Sequence, residues 1–368
     1  MALYIGLMSG TSADGIDAAL ADFTPGKKIQ MLDTSFTAWT EEDRSTISSL
    51  CTPGDNELHR AGLFSCRYAE TAAGAVLKLL QKNDLTPGDI TAVASHGQTV
   101  RHEPQNGFSV QIGNHAMLAA ITGIDVVCDF RSADIALGGQ GAPLVPAFHQ
   151  EICAHPDIPR YVVNIGGIAN VSVLIPGTTV TGFDTGPGNT IIDALARKYL
   201  NQYSDFDGKT AASGKPAEEI INRMIAETPY FMEPAPKSTG RELFNLDYLE
   251  AFPDLKSLSI SDLFATVTEL TARTIVDGIG MYRTPGEIYV CGGGSHNPHL
   301  MKRISELAHN AGHLLTGTTN DIGVDPDYLE ALAFAWLGYK FINKEQIDMR
   351  EITGTSAKEI LGALYPHP

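Results

Sequence analysis

The segment richest in reactive groups is Ser9-Gly10-Thr11-Ser12-Ala13-Asp14-Gly15-Ile16-Asp17, where glycines, hydroxyls and two carboxylates share one short turn. Gly10 and Gly15 let the backbone approach a ligand closely, so that N–H groups and the Thr11 and Ser12 hydroxyls can face phosphate oxygens. Asp14 or Asp17 can hold the water shell of Mg2+. The same composition also makes an ordinary turn, so its neighbours decide. A second segment, Gly182-Phe183-Asp184-Thr185-Gly186-Pro187-Gly188-Asn189-Thr190, joins a strand to a helix. It sets Gly186, Gly188 and Asn189 at the positive end of a helix dipole, where phosphate or a developing anion is stabilised. Asp184, at the C-terminal end of the strand, is placed as a general base for a nucleophile facing a γ-phosphate, or else caps the turn by accepting backbone N–H bonds. A third segment, Cys291-Gly292-Gly293-Gly294-Ser295-His296-Asn297-Pro298, repeats the strand, glycine turn and helix. Gly292, Gly293 and Gly294 can let an adenine ring lie on bare backbone. Three such turns in this order imply a nucleotide cleft between two α/β halves.

Two further loops follow strands, where open α/β sheets present ligands. Ser95-His96-Gly97-Gln98-Thr99 offers His96 and Gln98 to sugar hydroxyls, and Asp129-Phe130-Arg131 offers a bidentate guanidinium to a carboxylate. Both can equally be plain polar loops. Glu330 stands between Leu329 and Ala331 on an otherwise apolar helix, where an acid either pairs with an arginine or faces a cleft. Other nucleotide folds are excluded. Gly208-Lys209-Thr210 lacks a P-loop's first glycine, since Tyr203 stands there, and it follows no apolar strand. Gly139-Gln140-Gly141 lacks the third glycine of a dinucleotide fingerprint, and no GxSxG elbow occurs. His96, His102 and His115 lack the short helical spacing of a zinc site and read as polar loop residues.

Leu3 to Met8 and Ile16 to Phe23 are apolar runs around the first turn, which predicts a β-hairpin. Tyr161 to Leu174 repeats that grammar, with a further strand Thr179 to Phe183, so the chain reads either as an internal duplication or as two unrelated hairpins. Helices are predicted over Glu57 to Lys82, Thr190 to Tyr199, Ala217 to Ala226 and Ser261 to Met281, the last with Ser259 and Asp262 as a capping box. Strands are predicted at Ile90 to Ser95, Ile124 to Cys128 and Glu287 to Cys291, and a last helix opens at Asp325-Pro326. The alternation makes an α/β fold.

With 368 residues the chain can bury two cores, and with 43% hydrophobic and 19% charged residues it is globular rather than disordered. A formal net charge of -17 repels phosphate backbones and anionic bilayers, which leaves a small-molecule partner and excludes nucleic acid and membrane. Cys51, Cys66, Cys128, Cys153 and Cys291 show no CxxC pair, so reduced core cysteines are expected. No signal peptide and no run of about 20 apolar residues is visible, and a cytoplasmic protein is expected.

The blocks LYIGLMSGTSADGIDAAL, SHGQTV, DFRSADIALGGQGAPLVP, NIGGIANVSVL, GFDTGPGN, DGKTAASG, PKSTGRELF, CGGGSHNP and DYLEALAFAWL resemble, end to end, the anhydro-N-acetylmuramic acid kinase family. The resemblance implies duplicated actin-like ATPase (ribonuclease H-like) domains with an interdomain cleft, one of residues 1–155 plus about 340–368, the other 156–339. It implies an ATP- and Mg2+-dependent enzyme of cell-wall recycling, and a homodimer. The reaction opens 1,6-anhydro-N-acetylmuramic acid with water while phosphorylating O6. By that likeness Asp184 is the catalytic base, Gly10 to Asp17 form the ATP loop, and Arg131 and Glu330 contact the sugar. The rivals are a kinase for another sugar, separated by whether a cation such as Arg131 meets a lactyl carboxylate, and a nucleotide-switched binding module, separated by the absence of sugar-stimulated ATP hydrolysis.

Overall fold

In a computed structural model of the chain, residues 1–10, 12–240 and 242–368 are described. Contacts divide it into two units, Met1–Phe148 with Tyr328–Pro368, and His149–Asp327. In the first unit the two apolar runs become β1 (Leu3–Ser9) and β2 (Gly15–Asp22), antiparallel from Leu3 opposite Asp22 to Met8 opposite Asp17, and β3 (Gln30–Ala38) continues the meander. Every residue of β1 is buried, because a strand covered on both faces reads as a continuous apolar run rather than an alternation. β4 (Ile90–Glu103) lies parallel to β1 and to β6 (Val126–Cys128). β5 (Phe108–Ile112) pairs with the end of β4, and β12 (Ala363–Tyr365) with β6.

The second unit holds β7 (Arg160–Ile165), β8 (Ile168–Leu174), β9 (Thr181–Pro187), β10 (Glu287–Cys291) and β11 (Leu314–Thr318). The order β6-β4-β1-β2-β3 recurs there as β11-β10-β7-β8-β9, with antiparallel meanders and parallel neighbours in the same places. The two hairpins are therefore copies of one device, and the architecture is a duplicated α/β fold. Helices close each sheet. Glu57–Lys82 buries Tyr68, Val76 and Leu79 in the first core, and Ile260–Gly280 buries Ile275 and Ile279 against β8 and β9. Ser259 caps the latter by accepting the Asp262 N–H, but the Asp262 carboxylate takes the Ser259 hydroxyl and the Lys215 N–H instead of completing a box.

Several expectations are corrected. β4 does not stop at Ser95 but runs on to Glu103, because β5 pairs with it, so His96, Gln98 and His102 belong to a strand, and His96 is buried rather than a loop residue. The helix Leu329–Ile342 packs on β1, β2 and β4, so the chain returns to the first unit at Tyr328 rather than near 340. The seat for this helix is glycine: a Cβ at Gly6 would stand 1.8 Å from the Ala331 carbonyl oxygen, and one at Gly338 2.7 Å from the Ala94 Cβ. Cys128, Cys153 and Cys291 are buried, whereas Cys51 is exposed and Cys66 half-buried. Among the described residues no helix is long and apolar enough to cross a membrane.

Candidate functional site

In the second unit, β7, β9 and β10 all run toward the same end of the sheet, since β7 and β10 are parallel and β9 is two antiparallel steps from β7. Asp184 sits on β9 opposite Asn170, next to a register shift between Ala169 and Asn170. Such bulges re-aim a side chain, and they recur beside active sites. The half-buried carboxylate is oriented by main chain: Thr239 N–H donates to its Oδ2 at 2.9 Å. Its own N–H donates to the Lys237 carbonyl at 3.2 Å, and its carbonyl accepts the Tyr230 hydroxyl at 2.7 Å. Burial, with the Asp184 charge next, pushes the Tyr230 hydroxyl far up, so it stays protonated and keeps donating.

Lys237 is itself buried. Its ammonium donates to the Tyr230 carbonyl at 2.8 Å and lies 4.6 Å from the centroid of that ring. Burial lowers its pKa, opposed by the charges of Glu233 and Asp184. Lys237, Thr239 and Tyr230 were not singled out from sequence, because they lie on a distant loop and no spacing ties them to β9. The duplication carries a clearer missed signal: the β7–β8 turn at Gly166 stands where the β1–β2 turn stands in the first unit, and the space on the Cβ side of Gly166 is open to 3.7 Å.

The glycine turns divide by what fills the space a side chain would need. Gly186, at φ +152°, is pressed against Phe231, and a Cβ on Gly188 would stand 2.4 Å from the Gly166 carbonyl. The N–H groups of Gly188, Asn189 and Thr190 already donate to Gly167, Gly166 and Gly167 at 3.0, 2.8 and 3.0 Å. Phosphate donation by those amides, expected from the helix start, therefore gives way to a lock between the two turns. A Cβ on Gly292, at φ +78°, would stand 2.3 Å from Asn164 Oδ1 and one on Gly294 2.3 Å from Ile165 Cγ2, whereas one on Gly293 would meet nothing closer than Asn189 Nδ2 at 4.0 Å. Gly293 is thus the open member of its triplet.

In the first unit the β1–β2 turn divides similarly. A Cβ on Gly15 would meet the Thr37 carbonyl at 2.4 Å and the Phe36 ring, so this glycine serves β3 rather than a ligand, and Ile16 is wholly in the core. Gly10 has room, Ser12 and Asp14 are exposed, Ala13 takes φ +56°, and Asp17 is half-buried on β2. Thr11 lies outside the described residues. The turn is held from below: Ser9 Oγ accepts from the Trp39 indole at 3.1 Å and lies 2.7 Å from Gln98 Oε1, while Gln98 Nε2 donates to the Gly10 carbonyl at 3.2 Å. Gln98 is buried, and both ends of its amide bond the turn.

Arg131, His96 and Glu330 come together in the first unit. Arg131 donates from Nη1 to the Gly141 carbonyl at 2.5 Å and from Nη2 to His96 Nε2 at 2.8 Å. His96 Nδ1 lies 3.0 Å from the Gly97 carbonyl, so the ring is the neutral tautomer with its proton on Nδ1. Burial and then the Arg131 charge hold its pKa well below the ordinary value, which keeps Nε2 an acceptor. Phe334, one turn beyond Glu330 on the same helix, packs tilted against His96 at 4.7 Å between ring centres and against Phe130 at 5.5 Å. Burial raises the Glu330 pKa, and the Arg131 charge opposes it. Among the described residues no group of three His, Cys, Asp or Glu side chains could hold a metal ion.

A family model described as anhydro-N-acetylmuramic acid kinase matches residues 2–367. A relative of that name from Nitrosomonas europaea is 44% identical, covering 99% of this chain and 99% of its own. Another, from Shewanella amazonensis, is 46% identical, covering 99% of this chain and 98% of its own. Among solved structures, the (R)-2-hydroxyglutaryl-CoA dehydratase component A of Acidaminococcus fermentans aligns at 14% identity and a TM-score of 0.48, over 92% of this chain and 98% of its own.

Proposed function

The chain belongs to the anhydro-N-acetylmuramic acid kinase family, and from that premise we propose which of its residues carry the reaction. The enzyme converts 1,6-anhydro-N-acetylmuramic acid, ATP and water to N-acetylmuramic acid 6-phosphate and ADP, a step of murein recycling. Asp184 is the base. Its carboxylate takes one proton from water, the water oxygen bonds to C1, the C1–O6 bond breaks, and the O6 electron pair takes the γ-phosphoryl group as ADP leaves. The observation that carries this role is the main-chain clamp on Asp184, a Thr239 N–H on Oδ2 beside a strand bulge, which fixes a base in one orientation before substrate arrives.

Nucleotide contacts fall to the turns whose Cβ space is open, Gly10, Ser12 and Asp14 in the first unit and Gly166 and Gly293 in the second. Gly15, Gly186, Gly188, Asn189, Gly292 and Gly294 shape those turns by close packing. The hard carboxylate oxygens of Asp14 and Asp17 fit Mg2+ held through water, which would neutralise charge on the β- and γ-phosphates. Arg131 receives the lactyl carboxylate, His96 fixes the guanidinium, Glu330 faces sugar hydroxyls, and Gln98 acts through the first turn. A cytoplasmic homodimer completes this reading.

The decisive experiment incubates the protein with Mg-ATP and the anhydrosugar in 18O-labelled water, with immediate borohydride reduction to trap the anomeric oxygen. The expected product is a 6-phosphorylated sugar with 18O on C1. Label recovered in inorganic phosphate with the sugar intact would reduce the protein to a nucleotide hydrolase. Arg131→Ala is expected to raise the sugar KM about 10- to 100-fold, the worth of a charged hydrogen bond, and to leave the ATP KM in place. An ATP KM rising in parallel would move Arg131 from the sugar to the nucleotide.

A further inference from the structure

Beneath Arg131 lies a second pair of acids that the reaction does not use. Asp134 is fully buried on the short helix Ser132–Ala136. Its Oδ2 accepts the Gly141 N–H at 2.6 Å, and its Oδ1 accepts the Thr353 hydroxyl at 2.5 Å. A Cβ on Gly139 would stand 2.2 Å from Oδ2, so the 138–141 loop is wrapped directly on this carboxylate. The C-terminal segment closes over it: the Gln140 N–H donates to the Thr353 carbonyl at 2.9 Å, and the Ser356 N–H to the Leu137 carbonyl at 3.0 Å. Glu359, held by paired main-chain bonds to Ile347 at 2.7 and 3.0 Å, is only 5% exposed, and neither of its carboxyl oxygens has a donor. Its carboxyl instead faces that of Asp134 within hydrogen-bonding reach.

Two ionised carboxylates are both acceptors and cannot bond each other, so contact requires a proton on one of them. Asp134 already accepts two donors, which places the proton on Glu359. The loop so clasped ends at Gly141, whose carbonyl takes Nη1 of Arg131. We propose that Glu359, protonated and donating to Asp134, is a positioning residue for sugar binding: it ties the C-terminal segment to the 137–141 loop and thereby sets the Arg131 guanidinium. This rests on the assignment of Arg131 to the sugar.

Burial, then the contact with Asp134, raises the Glu359 carboxyl to about 8 from an ordinary 4.5. Of the charged groups around it, Asp134 faces it from the 132–136 helix; Asp348, Arg350 and Lys358 on its own segment pair with one another at outer positions, Glu345 pairs with Lys340, and Glu351 is exposed. A raised acid contributes stability that is complete below its unfolded pKa and is lost as pH climbs through the folded value. The clasp therefore weakens from about pH 4.5 and opens above about 8.

The test measures sugar and ATP KM from pH 6.5 to about 9.5, together with exchange of the Gln140 and Gly141 amide hydrogens, in wild type and in Glu359→Gln. The amide of glutamine donates to Asp134 at every pH. The wild-type sugar KM is expected to rise by about fivefold over the first pH unit above the midpoint and to approach about tenfold per unit beyond it, with loss of amide protection and no change in ATP KM, and Glu359→Gln is expected to be flat. A flat wild-type profile, a Glu359→Gln profile that climbs like wild type, or activity that depends on a monovalent cation seated between the two carboxylates overturns the proposal. If Arg131→Ala leaves the sugar KM unchanged, the Arg131 assignment is what fails, and the amide exchange profile then decides the clasp alone.

Discussion

Asp184→Asn is expected to lower kcat by about 100- to 10,000-fold, the range a positioned carboxylate base supplies, and to leave the Kd for ATP and the fold nearly unchanged. The asparagine carbonyl still accepts the Thr239 N–H, and the bonds to Lys237 and Tyr230 belong to the main chain, so geometry survives while basicity is lost. Asp184→Ala is a different experiment. It strands the Thr239 N–H and adds a destabilisation of about 1 to 3 kcal/mol. Removing the charge in either variant withdraws one of the two anions that oppose the burial of Lys237, so its pKa falls further. Calorimetric titration with ATP beside steady-state turnover checks the pair. If Asp184→Asn loses ATP affinity along with turnover, Asp184 is a scaffold for the turn and the base lies elsewhere.

The strands and the long helices were legible because their signals are local. The apolar runs around Gly10, their echo at Tyr161 to Leu174, and the 57–82 helical stretch each depend on neighbours in sequence, and each appears where it was expected. The glycine turns were legible as turns but not in purpose. Composition cannot distinguish a glycine that admits a phosphate from one that admits another backbone. Gly15 and Gly188 prove to be the second kind, with Thr37 and Gly166 carbonyls in the space a side chain would fill. For the same reason the clamp on Asp184 was invisible: Thr239 and Lys237 reach it from a distant loop. His96 read as a loop residue because polar Ser95, His96 and Gln98 mimic a loop, whereas their hydrogen bonds to Tyr68, Arg131 and Ser9 let β4 continue buried. The return of the chain at Tyr328 was hidden because a helix apolar on every side states that it is buried, but not against which sheet.

That seat gives the second large effect. Gly6→Ala is expected to destabilise the first unit by about 3 kcal/mol or more, at or beyond the upper end of overpacking costs. The added carbon would lie 1.8 Å from the Ala331 carbonyl oxygen and 2.6 Å from the Ala335 amide nitrogen. Both are main-chain atoms, so no rotamer change relieves the clash. The 329–342 helix must lift from β1, and Glu330 and Phe334 move with it, which disturbs the packing on His96 that holds Arg131. A rise in sugar KM should therefore accompany the loss of stability, with ATP binding less affected. Gly74→Ala is the matched control. No atom lies within 4 Å of its Cβ position, in the middle of the 57–82 helix, so the same substitution there should stabilise by up to about 1 kcal/mol through backbone entropy. Urea midpoints of the two variants check both signs. Equal midpoints would mean that the helix does not rest on Gly6, and the link from β1 through Glu330 to the sugar site would go with it.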